Sequence, residues 1–213
     1  MLSQIETPIL NECSFWFFNQ LVFDTPLLGQ FIRRTEIFTT IHRSRVEFLS
    51  RAVVVTLSGR EEMANNDREV LLLKISCESL DWQLSAITQM LNSFLSFIPT
   101  LECLEIIVSP QLYGDEVEDI QWQECLRLFT SVKDMTLAFD DSVRLVVPAL
   151  QGLAGERAIE VLPALQDLFI GTYGRLPSRP VVIAIRRFID TRRIYGHPLT
   201  VHYWDNIGEK YVL

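Results

Sequence analysis

The sequence is poor in the residues and motifs on which most enzymes, metal sites and nucleotide sites depend. It has three histidines and four cysteines in 213 residues, and no two cysteines form a Cys-x-x-Cys pair. The phosphate-binding, dinucleotide-binding, serine-hydrolase and zinc-protease motifs GxxxxGK[ST], GxGxxG, GxSxG and HExxH are all missing. We therefore expect a non-catalytic protein that uses no cofactor and no metal.

Long apolar runs and concentrated positive charge are missing as well. Apolar runs such as residues 145–150 fall far short of the roughly 20 residues that span a bilayer, and residues 1–10 do not have the pattern of a secretory signal. The net charge of -8, from 27 acidic and 19 basic residues, argues against binding to a phosphate backbone. The scattered cysteines, mostly among apolar neighbours, are typical of reduced thiols. We expect a cytoplasmic or nuclear chain that binds neither nucleic acid nor membrane.

No stretch rich in Gly, Ser or Pro divides the chain, and 48% of its residues are hydrophobic. A chain of this length buries roughly 70% of its unfolded surface when it folds as one unit. Residues 1–213 are accordingly interpreted as a single domain.

A short pattern, apolar-x-x-apolar-x-apolar, recurs with start-to-start spacings of 31, 31 and 33 residues, and a fifth, weaker copy follows after a further 31. Two earlier matches, Phe18/Leu21/Phe23 and Leu49/Ala52/Val54, fit more loosely. The clearest repeats therefore cover residues 70–205. Their pattern positions are Val70/Leu73/Ile75, Leu101/Leu104/Ile106, Val132/Met135/Leu137, Leu165/Leu168/Ile170 and Gly196/Leu199/Val201.

The segments between these patterns have the period of a helix. The first is predicted to run from a cap at Asp81 to a stop at Pro99, and a shorter one has Trp122, Cys125, Leu126 and Phe129 on one face. A break is predicted between Gly152 and Gly155. The last helix is predicted to begin near Ser178 and Pro180, with its arginines 186, 187, 192 and 193 forming a solvated face.

Strands joined by helices pair in parallel, and two architectures satisfy that rule. A doubly wound sheet has helices on both faces, whereas a solenoid leaves one face of the sheet open. The residue between the apolar positions is polar at Glu105, Thr136 and His202, although it is Phe169 in one unit. We therefore predict an α/β fold, an irregular leucine-rich-repeat-like solenoid with parallel strands on one face and helices on the other. The doubly wound sheet stays as the alternative.

Several stretches resemble fungal F-box-type proteins with a degenerate leucine-rich-repeat region. They are FNQLVFDTPLLGQFIRRT (18–35), SRAVVVTLS (50–58), LKISCESLDWQL (73–84), PALQDLF (163–169) and HPLTVHYWD (197–205). The resemblance implies a protein-binding repeat surface, the substrate-recognition part of a ubiquitin-ligase receptor. It implies a Skp-type adaptor as partner only if an F-box lies upstream, because no F-box is recognised in this chain. Regular leucine-rich repeats also have an Asn or Cys ladder, but Glu78, Ser109, Asp140 and Tyr173 occupy those positions, which predicts irregular curvature.

If the strands stack in register, the side chains between the apolar positions line one open face. Its middle is acidic with apolar residues beside it, a mixture suited to a protein partner with a basic patch. The residues of this predicted face are Lys74, Glu105, Ile107, Asp134, Thr136, Asp167, Phe169, Thr200 and His202.

Two other functions remain open at this point. A small doubly wound α/β enzyme would have a pocket with titratable groups at the carboxyl ends of its strands. Separately, His197 and His202 straddle the final strand near Asp205 and Asp190, an arrangement in which a histidine–carboxylate pair could form. A truncated gene product without independent function would expose the apolar residues 15–18 as a cut edge that binds another copy or aggregates.

Overall fold

The computed structural model describes residues 12–18, 26–60, 67–93, 95, 98, 100–112, 118–153, 155–172, 178–205 and 210–212. Within them, nine strands form one sheet: β1 Cys13–Phe18, β2 Ile41–Leu49, β3 Ala52–Arg60, β4 Asp67–Ser76, β5 Cys103–Val108, β6 Asp134–Ala138, β7 Asp167–Thr172, β8 Thr200–Asp205 and β9 Lys210–Val212. The helices are α1 Pro26–Arg34, α2 Leu80–Asn92, α3 Asp119–Leu126, α4 Asp140–Gln151, α5 Arg157–Glu160 and α6 Arg179–Ile194. Two 3₁₀ turns, Glu36–Thr40 and Pro110–Leu112, complete the described elements.

The strand order is β1-β4-β3-β2-β5-β6-β7-β8-β9. Strands β2, β3 and β4 form an antiparallel meander, and β1 pairs in parallel with β4. From β2 onward, β5, β6, β7 and β8 are added in chain order and in parallel, and β9 closes the described sheet antiparallel to β8. The α/β class is therefore confirmed, with a sheet that is mostly parallel.

One face of the sheet is covered by helices. Strand β5 shows the alternation: Leu104, Ile106 and Val108 are buried, while Glu105 and Ile107 are half-buried. The inward residues of the strands and the apolar residues of the helices belong to one core cluster. Four helices lie side by side over that core: α2 contacts α3, α3 contacts α4, and α4 contacts α6. The opposite face, called the open face below, carries the outward residues of the strands.

The predicted register is confirmed for the second, third and fourth copies of the pattern, whereas the fifth copy is shifted by two residues, because Val201 and not Leu199 pairs with Leu168. Leu104, Met135, Leu168 and Val201 are consecutive register partners across β5 to β8. The repeat that begins at Val70 was predicted to lie next to the Leu101 repeat, and this prediction is wrong. Its strand β4 is separated from β5 by β3 and β2. The physical reason is that β2, β3 and β4 are antiparallel neighbours in chain order, a pairing that needs no crossover helix.

The two looser matches near the amino terminus do not form single strands in the described residues. The pattern Leu49/Ala52/Val54 spans the turn at Ser50 and Arg51, so its first residue ends β2 and the other two belong to β3. Phe18 ends β1, while positions 21 and 23 lie outside the described residues.

The helix predictions hold in part. Helix α6 starts where expected, with Pro180 in its first turn, and α4 ends at the expected break, with Gly152 after its last residue. Helix α2 differs, because it begins after Ser79 rather than at Asp81 and ends at Asn92; the predicted stop at position 99 lies outside the described residues.

The starts of the parallel strands are joined by a ladder of main-chain hydrogen bonds. Glu102 N donates to His42 O (2.9 Å), Lys133 N to Glu102 O (2.7 Å), Gln166 N to Lys133 O (2.8 Å) and Thr200 N to Gln166 O (2.9 Å). This ladder satisfies peptide groups at or just before the start of each parallel strand.

Buried glutamines connect neighbouring elements on the helical side. Gln83 Nε2 donates to Leu49 O at 2.7 Å, and Gln123 Nε2 donates to Ala149 O at 2.9 Å. Each amide bonds a carbonyl in a neighbouring unit, so the helices are held by directional contacts as well as by apolar packing.

Arg192 is fully buried, which corrects the prediction that it belongs to a solvated helix face. Its guanidinium bonds only main-chain carbonyls among the described residues, and burial lowers the pKa of Arg192. The side chain therefore holds the segment between α5 and β7 in place. The accepting carbonyls, at 2.9 to 3.5 Å, are those of Ala158, Val161, Leu162, Pro163 and Leu165.

None of the helices in the described part of the chain combines the length and the apolar character needed to cross a membrane.

Candidate interaction surface

The nine residues of the predicted face all lie on the open face. Two rows of register partners cross the parallel strands there. The first row is Arg45 (β2), Glu105 (β5), Thr136 (β6), Phe169 (β7) and His202 (β8). The second row is Arg43, Cys103, Asp134, Asp167 and Thr200.

Lys74 is on the same face but far from the other predicted residues. It lies on β4, and β3 and β2 separate that strand from Glu105 on β5. Its ammonium nitrogen is 5.4 Å from the centre of the Trp16 ring, on the neighbouring strand β1. The sequence analysis placed Lys74 directly beside Glu105, and that placement is wrong.

Two basic residues of the surface were missed. Arg43 and Arg45 enter the two rows because β2 pairs with β5, from which it is separated by about 60 residues of chain. Arg45 Nε is 2.9 Å from Glu105 Oε2, and a second contact of 3.8 Å joins Arg45 to Glu47. Burial alone lowers the pKa of Arg45, but the hydrogen bond and charge of Glu105, with the charge of Glu47, raise it overall. The charge of Glu105 is therefore matched within the chain.

His202 pairs with a carboxylate that the sequence analysis did not assign to it. Its Nε2 lies 2.7 Å from Asp167 Oδ1, and its ring stacks on Phe169 with 4.6 Å between ring centres and 13° between planes. Asp190, one of the carboxylates proposed for a histidine pair, is exposed on helix α6. The three side chains on β7 and β8 thus form a preorganised cluster with one polar and one aromatic contact.

Asp134 contacts a thiol rather than a cation. Its Oδ2 is 3.7 Å from Cys103 Sγ. Burial, followed by the negative charge of Asp134, raises the pKa of the Cys103 thiol. The thiol therefore stays protonated at neutral pH, which disfavours a role for Cys103 as a nucleophile.

The half of the open face on β5 to β8 is acidic. In the described part of β5 to β8 the outward residues include Glu105, Asp134 and Asp167 and no Lys or Arg. The predicted acidic middle is thus present, but Arg45 and His202 partner two of its three carboxylates. Asp134 is the acidic side chain with the least compensation.

An apolar patch extends across the open face from β1 to β5 and joins the predicted exposed edge 15–18 to Ile107 of the predicted face. Trp16 and Phe18 of β1 are 61% and 65% exposed, with 6.5 Å between their ring centres. Val54, Leu72 and Ile107 are half-buried outward residues of β3, β4 and β5. The name apolar patch refers below to these five residues. Phe15 and Phe17, in contrast, pack against the core, so only alternate residues of the predicted exposed edge 15–18 face solvent.

The described lining of a cleft of about 280 Å³ includes no acid, base or histidine. These lining residues are Leu95, Ile98, Leu101, Leu128, Phe129, Thr130 and Ser131. All four cysteines are free thiols, and no group of three or more His, Cys, Asp and Glu in the described ranges is arranged to hold a metal ion.

Comparison of the chain with protein-family models, with curated proteins and with solved structures gives no match.

Proposed function

We propose that this chain is a non-catalytic protein-recognition module that binds its partner through the open face of β5 to β8. The observation that carries the proposal is the one-sided sheet, whose helical face forms the core while its other face presents preordered polar and aromatic side chains. Phe169 and His202 are fixed by stacking, and His202 and Arg45 are fixed by carboxylates. A surface that is already ordered loses less conformational entropy when it binds.

The finer fold assignment belongs to the same proposal. Strands β5 to β8, with helices α3, α4 and α6, constitute an irregular leucine-rich-repeat-like solenoid. Its support is the parallel, chain-order pairing, together with repeat spacings of 31 and 33 residues and helices packed side by side. In such folds the strands present an extended binding surface while the core is built between neighbouring repeats.

The partner that fits this surface is a protein with a basic patch. Among the described residues, Asp134 supplies a carboxylate with no cation in direct contact, and Phe169 supplies an aromatic surface in the next strand. A lysine or arginine over Asp134 with its stem against Phe169 would use both features. Substrate recognition for a ubiquitin ligase is the specific role that the resemblance to fungal F-box-type proteins adds.

The test is affinity capture with three forms of the purified chain, followed by titration of the captured protein. The forms are the wild type, Thr136→Arg in the centre of the open face, and Arg187→Glu on the exposed side of α6 as the matched control. We expect the wild type and the control to retain the same protein and Thr136→Arg to lose it. Equal retention by all three forms, or no protein enriched by the wild type over Thr136→Arg, would show the proposal to be wrong.

A fourth variant, Asp134→Lys, tests the chemistry of the partner. If the partner presents a basic patch, affinity falls by about tenfold or more, because a like charge replaces an attractive one. Unchanged affinity with Asp134→Lys, combined with loss for Thr136→Arg, would retain the surface and exclude the basic patch.

A further inference from the structure

Three residues of the apolar patch, Trp16, Val54 and Ile107, belong to one row of side chains that is symmetric in character. In register across five neighbouring strands, the row is Trp16 (β1), Lys74 (β4), Val54 (β3), Glu47 (β2) and Ile107 (β5). Val54 is central, a cation and an anion lie on either side of it, and a large apolar residue lies at each end. Each of the five has core-facing neighbours before and after it in its strand, so all five point to the open face.

A two-fold axis brings such a row into register with itself. If the axis runs parallel to the strands above Val54, it places β4 of one copy over β2 of the other. Lys74 of each copy then faces Glu47 of the other, and Trp16 faces Ile107. An isologous interface requires this self-complementarity, because one surface must serve as its own partner.

We propose that a second copy of this chain docks on the apolar patch, so that two sheets pack face to face about a two-fold axis at Val54. The exposed Trp16 and Phe18 become covered, and two Lys74–Glu47 pairs flank the centre. Aligned packing of sheets at about 10 Å separation accommodates such a contact.

The size of the contact predicts a weak, reversible dimer. Five strands spaced at about 4.8 Å and three rows of outward residues spaced at roughly 6.7 Å cover about 500 Å² on each copy. The total of about 1,000 Å² is at the lower limit of specific interfaces. Because the axis lies at β3, the contact includes β5, which also borders the proposed recognition surface, while strands β6 to β8 of each copy extend beyond it. The dimer therefore leaves Thr136, Phe169 and His202 uncovered.

The test is sedimentation velocity with charge-reversed variants at about 100 μM, well above the micromolar dissociation constants of weak specific interfaces. Lys74→Glu alone and Glu47→Lys alone each set like charges against each other twice in a dimer. We expect each variant alone to raise the dissociation constant by more than about tenfold. An equimolar mixture of the two restores both opposite-charge contacts and is expected to dimerise like the wild type, which also shows that both variants fold.

Four results would overturn the proposal. They are a monomeric wild type at this concentration, a dimer unaffected by either variant, a mixture that stays monomeric, and a dimer that Trp16→Ser does not weaken. Thr136 lies outside the contact, so Thr136→Arg is expected to dimerise normally. The result for the dimer is thus separate from the result for the proposed recognition function.

Discussion

Asp134 and Asp167 are direct register partners at the starts of β6 and β7, but only Asp167 has a histidine within hydrogen-bonding distance. Two carboxylates opposite each other repel. We therefore expect opposite effects of removing each charge. Asp167→Asn lowers the free energy of unfolding by about 1 kcal/mol, because the charge-assisted contact with His202 is lost.

Asp134→Asn is the matched control, since it removes the same repulsion without breaking the histidine contact. It leaves stability unchanged or raises it by a few tenths of a kcal/mol. Urea unfolding of both variants measures the difference. Equal losses would mean that the His202 contact contributes nothing specific.

Replacement of the buried Arg192 is expected to be strongly destabilising. Arg192→Met leaves the five carbonyls without their donor, and the loss is about 3 kcal/mol or more. Arg193 is exposed in the next position of α6, and Arg193→Met is expected to stay within about 0.5 kcal/mol of the wild type. Urea midpoints compare the two, and similar values would contradict the role assigned to Arg192.

Two tryptophans are expected to differ in how much their replacement lowers the free energy of unfolding. Trp122 is fully buried and meets Phe48 edge to face, with 5.1 Å between ring centres. Trp122→Ala is expected to cost about 3 to 5 kcal/mol. Trp82 is 57% exposed at the start of α2, and Trp82→Ala is expected to change stability by less than about 0.5 kcal/mol. Thermal unfolding measures both losses, and similar losses for the two variants would contradict the placement of Trp122 in the core and of Trp82 at the surface.

The buried thiol of Cys125 makes the free energy of unfolding depend on pH in the alkaline range. Burial raises the pKa of this thiol from its ordinary 9.0 to about 12, although a hydrogen bond with Thr88 acts in the other direction. Above pH 9 the unfolded chain loses this proton while the folded chain keeps it. The thiol's contribution is therefore fully present below pH 9 and is lost as the pH rises toward 12.

Cys125→Ala removes that titration. Between about pH 8 and about pH 10.5 the wild type is expected to lose about 2 kcal/mol more stability than Cys125→Ala. Urea unfolding of each protein at both pH values gives its change in the free energy of unfolding with pH. Equal changes for the wild type and Cys125→Ala would exclude a thiol that stays protonated in the folded chain. The comparison is of changes with pH, so the packing defect left by alanine cancels.

The parallel half of the sheet was predictable because its strands follow one another in the chain. The similar spacings, 31 residues from Leu104 to Met135 and 33 from Met135 to Leu168, indicate both the strands and their register, and the residues that alternate with these inward positions therefore share the open face. Glu105 and Thr136 were correctly placed by that argument, whereas the residue beside Phe169 is His202 and not Thr200, which the spacing of 31 residues selects.

The meander half was not predictable in the same way. The turn between Leu49 and Ala52 contains Ser50 and Arg51 instead of the Asn-Gly or Asp-Gly signal of a tight hairpin. The end of β2 and the start of β3 were therefore predicted as a single strand. Strand β2 pairs with β5 across about 60 residues, and no local pattern encodes such a distant pairing. Arg43, Arg45, Val54 and Leu72 were missed for that reason.

The separation of the two faces of the sheet also has an evolutionary consequence. Outward residues such as Thr136 and Phe169 lie between inward residues that form the core, so substitutions at outward positions leave the inward packing in place. Selection can therefore alter the chemistry of the open face, one alternate position at a time, while the same inward residues continue to specify the fold. Within one short strand, the exposed surface can change without a change in the core that makes the chain fold.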